Sequence, residues 1–216
     1  MDFALFELMK KELFSAVLGD VLDAMGRRHQ FLPPQVRPLR PDMVVAGRAM
    51  PVVVVPGSDP GGSRFGRMLE ALDSLQPGDV YLADSAGAPY ALWGELMATR
   101  AQRLGAVGAV FNGFHRDTPG ILALDFPTFS HGCYAQDTNG RAWVADYRVP
   151  IRIGAVDIAP GDVIFGDIDG VLVLPAALAA DVVRLALEKV RGENQVRHAF
   201  ADGMTAVEAF SRYGVM

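Results

Sequence analysis

The sequence predicts an α/β protein built around one core, and three observations lead there. Short β-type apolar runs alternate with segments of helical period, separated by tight turns rich in Pro, Gly and Asp. Half of the 216 residues (50%) are hydrophobic, enough to bury one sizeable core. No repeat, low-complexity tract or clear linker divides the chain. A single domain over 1–216 is expected, with N-terminal helices and a C-terminal helical arm from residue 176 to 216.

Phe3 to Met25 places Leu5, Leu8, Met9, Leu13, Val17, Val21, Leu22 and Met25 at helical spacing, with Ser15 and Gly19 as points of division and Gly26 as the close. Pro33, Pro34, Pro38 and Pro41 mark a turn-rich connection. Val44 to Val55 reads as a strand, and Gly47 within it marks a bulge or a close backbone approach. After the loop Ser58 to Ser63, Arg64 to Leu75 is helical, and Gln76-Pro77-Gly78-Asp79 turns the chain into the strand Val80 to Ala83. Ala91 to Leu104 reads as an Ala-rich helix closed by Gly105, and Ala109 to Phe111 as a short strand ending in Asn112-Gly113. Thr128 to Gly132 and Trp143 to Arg148 are further strands. Ile151 to Leu174 alternates strands with turns at Ala159-Pro160-Gly161-Asp162 and Asp167-Ile168-Asp169-Gly170; Ala176 to Phe200 is one long helix, and Thr205 to Tyr213 a terminal one.

Composition narrows the function classes. A net charge of −5 argues against a nucleic-acid binder that works by bulk electrostatics. Cys133 is the sole cysteine, which rules out an intrachain disulfide and a multi-cysteine zinc site. Val52 to Val55 is far too short a run to cross a bilayer, and the amphipathic N-terminus carries Glu7, Lys10, Lys11 and Glu12 without a small-residue cleavage site. The expectation is a soluble cytoplasmic protein with no membrane or direct nucleic-acid partner.

The chemistry concentrates between Gly87 and Phe129. A Gly at the start of a helix, as in Trp93-Gly94-Glu95-Leu96, leaves backbone N–H groups free, and the helix dipole favours an anion there. The strand Ala109 to Phe111 then delivers Asn112-Gly113-Phe114-His115-Arg116-Asp117 at its C-terminal end, where α/β folds hold ligands. Arg116 can grip a carboxylate bidentately, and Asp117 is an oxygen donor suited to Mg2+ or Mn2+. Together they form a candidate clamp for a 2-oxo acid, in which a metal would polarise the keto oxygen. The competing reading is a loop salt bridge between Arg116 and Asp117 with Gly94 as a tight turn.

The order Trp93-Gly94-Glu95-Leu96, Gly105, Gly108, Asn112-Gly113 and Arg116-Asp117 resembles the RraA-like family. That family includes the class II 4-hydroxy-4-methyl-2-oxoglutarate / 4-carboxy-4-hydroxy-2-oxoadipate aldolases and the regulator of ribonuclease E activity A. Ser15 to Gly26, Val45-Ala46-Gly47-Arg48-Ala49 and the Pro-Gly-Asp turns at Pro77 and Pro160 extend the resemblance over nearly the whole chain. It implies a swivelling β/β/α domain assembled as a homotrimer or hexamer. It also implies a metal-dependent lyase that cleaves a 4-hydroxy-2-oxo dicarboxylic acid to pyruvate, with oxaloacetate decarboxylation as a related activity. By resemblance Gly94, Glu95, Leu96 and Met97 bind pyruvate, Arg116 binds substrate, and Asp117 is the direct ligand of Mg2+ or Mn2+. Glu193, late in the long helix, is a candidate to reach the neighbouring subunit's site. The alternative is a non-catalytic protein that binds and regulates a ribonuclease or another partner.

The chain also departs from that pattern. Gly120 stands where the aldolases carry an acid that orders metal-bound water, Asn112 where Asp is usual, and His115 where an apolar residue is usual. An acid missing at 120 is expected to weaken metal binding, with His115 as its substitute, as a ligand or general acid; a loop histidine bonded to backbone is the alternative. His131 is expected to be structural. Lys10, Lys11 and Lys189, the three lysines, lie on polar helix faces away from the clamp, so imine chemistry is disfavoured. Asp162, Asp167 and Asp169 sit beside Gly in turns, where Asp bonds its own backbone.

Overall fold

The structure, a computed structural model, describes residues 3–214; the outermost residues of the expected 1–216 unit lie outside them. Two helices lead, α1 (Phe3–Glu12) and α2 (Ser15–Ala24), then the strands β1 (Arg37–Pro38) and β2 (Val45–Pro56). Next come α3 (Met68–Asp73), β3 (Asp79–Asp84), β4 (Ala91–Trp93), α4 (Glu95–Arg103), β5 (Gly108–Asn112), β6 (Phe114–His115), α5 (Thr118–Ala123) and β7 (Thr128–Ser130). The rest is β8 (Ala142–Tyr147), β9 (Ile151–Ile153), β10 (Val156–Ile158), β11 (Val163–Asp167), β12 (Gly170–Leu174), α6 (Ala179–Ala201) and α7 (Ala206–Tyr213).

The main sheet runs β1-β7-β5-β3-β2-β11-β12, and β8 pairs with Val52 to Pro56 of β2, with an irregularity between Val53 and Val54. The neighbours β2–β3, β3–β5 and β5–β7 are parallel, whereas β11 lies antiparallel to both β2 and β12. The segment before β1 ties the two ends together. Leu32 N–H donates to the Val171 carbonyl and Val173 N–H to that of Gln30, each at 2.9 Å, while Arg37 and Pro38 lie opposite Ser130 and Phe129. The sheet therefore nearly closes on itself, with helices at both ends: the α/β fold that the resemblance implied.

Strand alternation divides the core. Val45, Ala49, Val80, Leu82, Val110, Phe129, Ile164 and Val173 form one cluster. On one outer face Ala46, Phe165, Leu172 and Leu174 pack against α1, α2 and α6. On the other, Met50, Tyr81, Ala83 and Phe111 pack against Trp93, α3, α4 and α5. Gly47 is a close approach, as its place in the strand suggested: a Cβ there would lie 2.5 Å from Val107 Cγ2 and 2.7 Å from the Gly78 carbonyl oxygen.

The N-terminal helices divide at Ser15 as expected, while several other elements differ from the sequence expectation, among them the helix expected over Arg64 to Leu75, which begins at Met68. The N-terminal helices part before Ser15, because the Asp167 carboxylate accepts both the Ser15 N–H and its hydroxyl at 2.7 Å each and so caps α2 from across the sheet. Gly19 lies within α2, where the Phe31 ring occupies the space of a Cβ. Ala91 to Trp93 is a strand, not the first turn of the Ala-rich helix, since it pairs with β6 and its Ala91 N–H binds the Gln136 carbonyl at 2.8 Å. Helix α5, with Pro in its first turn, was not foreseen. Among the described residues no helix is long and apolar enough to cross a membrane.

Candidate active site

β5 ends at Asn112 between β3 and β7, and the chain then runs through β6 into Arg116 and Asp117. β4 lies alongside in parallel, and the Arg116 N–H donates to the Trp93 carbonyl at 2.9 Å. This pairing sets the clamp loop against the start of α4. A Cβ built on Gly94 would lie 2.6 Å from Asp117 Oδ2, closer than carbon and oxygen approach, so any larger residue here would push the Asp117 carboxylate aside. Its backbone (φ −154°, ψ 177°) is extended and suits any residue.

Asp117 itself is left-handed (φ 56°, ψ 37°), a conformation that costs an L-residue roughly 1–2 kcal/mol and that Asp tolerates better than most. The turn aims its carboxylate away from α5, which it does not cap, and leaves that carboxylate half-exposed. Arg116 Nε stands 3.8 Å from Asp117 Oδ2, and its Nη2 stands 3.8 Å from Asp137 Oδ1. Both separations exceed hydrogen-bond length, so the guanidinium donors remain available for a carboxylate. At α4 the first intrahelical bond is Ala98 N–H to the Gly94 carbonyl at 3.0 Å, and no side chain caps the start. The N–H groups of Glu95, Leu96 and Met97 are thus orphan donors at the positive end of a helix dipole.

Of the candidates from the sequence, Gly94, Leu96, Met97, Arg116 and Asp117 line one cleft of about 270 Å3, whereas Glu95 is not among its lining residues. Asp137, Thr138 and the apolar residues of α3 also line it and were missed. Met68 and Leu72 were legible as one face of a helix, but Asp137 belongs to no motif and arrives through a bridge between Ala91 and Asp137.

His115 lies elsewhere than expected. It is buried (3% exposed) and absent from the cleft lining. Its Nδ1 contacts Ser130 Oγ at 2.7 Å and its Nε2 contacts Thr118 Oγ1 at 2.9 Å, with burial pushing its pKa down to about 4. A neutral imidazole thus ties β7 to the first residue of α5, immediately behind Asp117. The space over Gly120 is also filled: a Cβ there would meet the Glu95 carboxylate at 2.4 Å. A side chain at 120 would therefore require Glu95 to take another position.

Asn112 and His131 form a second chain, with His131 Nε2 at 2.8 Å from Asn112 Oδ1 and Asn112 Nδ2 donating to Asp84 at 2.8 Å. Burial lowers the His131 pKa, and Asp84 opposes that shift. Asp162 and Asp167 accept the N–H groups of Ala159 and Asp169 within their own turns, and Asp162 also accepts that of Ala176, 14 residues on. Lys189 pairs with Asp20 on the helical face, and Glu193 lies on α6 outside its own chain's cleft. No group of three or more His, Cys, Asp or Glu among the described residues is arranged to hold a metal.

The model of the RraA-like family (Aldolase/RraA) matches residues 15–173. Protein DlpA of Legionella pneumophila is 30% identical over 200 residues, 92% of this chain but 32% of its own length, so this chain spans about a third of that relative. A Halalkalibacterium halodurans protein, named as a candidate 4-hydroxy-4-methyl-2-oxoglutarate aldolase, is 31% identical over 89% of this chain and 87% of its own. The crystal structure of Streptomyces coelicolor RraAS2, described as an unusual member of the RNase ES inhibitor RraA protein family, superposes with a TM-score of 0.82 at 26% identity. It covers 91% of this chain and 98% of its own.

Proposed function

The chain belongs to the RraA-like family, and from that premise we propose that it is a metal-dependent lyase that cleaves a 4-hydroxy-2-oxo acid to pyruvate, with oxaloacetate decarboxylation as a related activity. One observation carries the reading: the Arg116 guanidinium, the Asp117 carboxylate and the uncapped start of α4 converge on a single cleft. Arg116 grips the substrate carboxylate with two parallel N–H donors. The N–H groups of Glu95, Leu96 and Met97 orient the pyruvate moiety and stabilise negative charge as it develops.

The donor set suits a hard cation. Asp117 offers carboxylate oxygen in an open cleft, the space that a Cβ at Gly94 would fill is left to it, and Glu95 stands nearby over Gly120. Mg2+ or Mn2+ keeps much of its water shell and takes one or two protein carboxylates; bound there it supplies Lewis-acid polarisation of the 2-oxo group. His115 holds the loop rather than the proton: it has no free ring nitrogen and stays neutral near pH 7.

We read the protein as one cytoplasmic domain assembling as a trimer or hexamer. Exposed apolar residues at both ends support this, with Val207 at 81%, Phe210 at 57% and Phe3 at 47% exposure. A contribution of Glu193 to a neighbouring site belongs to the same reading. The similarity to RraAS2 favours a second reading, a regulator that binds a partner without catalysis. Pyruvate release from oxaloacetate and 4-hydroxy-2-oxo acids, with and without Mn2+, separates the two. Metal-dependent release supports the lyase, and none from either substrate class refutes it.

A further inference from the structure

We propose that Arg64 is a substrate-binding residue, the cation that takes the second carboxylate of a dicarboxylic 2-oxo acid at the mouth of the cleft. The inference rests on the lyase reading above and adds to it the residue that reads the far end of the substrate. The Asp137 carboxylate stands between two arginines: Arg116 Nη2 is 3.8 Å from Oδ1, and Arg64 Nη2 is 3.8 Å from Oδ2. The Thr138 hydroxyl donates to Oδ1 at 3.3 Å. Both arginine separations exceed hydrogen-bond length, so Asp137 keeps two guanidinium groups near one place without using up their donors. The two groups lie within about 10 Å of each other, the span of a short dicarboxylate with one guanidinium at each end.

Local structure puts Arg64 there. The loop 58–63 is tied at both ends, where Gly57 N–H donates to the Arg141 carbonyl at 2.8 Å and Val144 N–H to the Phe65 carbonyl at 3.1 Å. The Arg64 guanidinium lies 4.9 Å from the centroid of the Phe65 ring, and Phe65 lines the cleft. Arg64 itself lines the adjoining hollow with Ser63 and Asn139. Its side chain is 64% exposed, so a change of rotamer is enough to turn it from Asp137 to a ligand. The row Arg64–Asp137–Arg116 lies within one chain, and groups that a neighbouring copy adds at the subunit boundary stand beside it.

The two reactions treat the second carboxylate differently. In retro-aldol cleavage the C3–C4 bond breaks and its electron pair stays on C3, which takes up a proton as the methyl group of pyruvate. The C4 hydroxyl loses its proton as C4 becomes a carbonyl, and the second carboxylate keeps its charge and its pairing throughout. In oxaloacetate the bond to that carboxylate is the one that breaks. Its electron pair again stays on C3, and the group departs as neutral CO2, so pairing with Arg64 favours the bound substrate over the transition state.

Binding tests the idea independently of turnover. Titration of the Mn2+-loaded protein with 2-oxoglutarate and with 2-oxopentanoate compares acids of equal length that differ in the terminal carboxylate. The unaltered protein should bind 2-oxoglutarate about tenfold tighter, the low end of what one charge-assisted contact delivers. Arg64→Gln should abolish that preference and leave 2-oxopentanoate unchanged, while Arg64→Lys should keep part of it. With oxaloacetate, Arg64→Gln should raise KM about tenfold without lowering kcat. No preference in the unaltered protein, a preference that survives Arg64→Gln, or an equal loss of both acids overturns this proposal and leaves the lyase reading intact. Binding of neither acid by the unaltered protein overturns both.

Discussion

Gly94→Ala tests whether the contact between the start of α4 and the clamp loop organises the site. The new Cβ would lie 2.6 Å from Asp117 Oδ2 and 3.5 Å from both Asp117 Cγ and Arg116 Cγ. Non-bonded carbon and oxygen settle near 3.3 Å, so the carboxylate must shift by roughly 0.7 Å. The fold can absorb this, because the obstructing atom is the end of a half-exposed side chain and the extended backbone of Gly94 accepts Ala. Loss of the N-cap preference for Gly over Ala sets the stability cost at about 1 kcal/mol. Function should suffer far more, since a displacement approaching 1 Å in a positioning contact can cost on the order of a hundredfold in rate. The expected result is a variant with a melting temperature a few degrees lower, Mn2+ affinity clearly reduced by calorimetric titration, and kcat/KM for pyruvate release down by roughly a hundredfold. Wild-type Mn2+ affinity and kcat/KM in a folded Gly94→Ala protein would refute the claim that this contact sets the position of Asp117.

Asp117→Asn keeps a residue that tolerates the left-handed backbone and removes the charge; it should abolish measurable Mn2+ binding while circular dichroism stays unchanged. Arg116→Lys should raise KM for a 2-oxo acid and lower kcat/KM by about ten- to a hundredfold, because an ammonium cannot reproduce the two parallel donors. For His115 the folded-state pKa of about 4 lies below the usual 6.5, so the unfolded chain binds the extra proton in that window. Its contribution is complete above pH 6.5 and is lost as pH falls to about 4. Between pH 7 and 5 the metal-free protein should therefore lose about 2 kcal/mol that His115→Gln does not lose, read by urea unfolding at matched protein concentration. Equal pH slopes in the two proteins would show that the imidazole is not held neutral.

Much of this protein was legible in order along the chain. The strands Val45–Pro56, Asp79–Asp84 and Val163–Asp167 announce themselves by β-branched runs and by Pro-Gly-Asp turns, which depend on local backbone preference. Arg116, Asp117 and the helix start at Gly94, which the fold brings to one cleft, could be singled out by chain order and residue type alone. Helix period misled at Ala91 to Trp93, where an Ala-rich stretch with helical propensity is drawn into pairing with β6; tertiary hydrogen bonds outweigh a propensity of a few tenths of a kcal/mol per residue. Only the folded chain could decide the rest. That Asp167 caps a helix 152 residues away, that Asp137 faces Arg116, that Glu95 fills the space over Gly120 and that His115 turns inward between two hydroxyls are facts of packing. Sequence fixes which groups are available through short-range preferences, but a side chain's partners depend on which distant segments the closed sheet brings to the same place, and no local pattern encodes that distance.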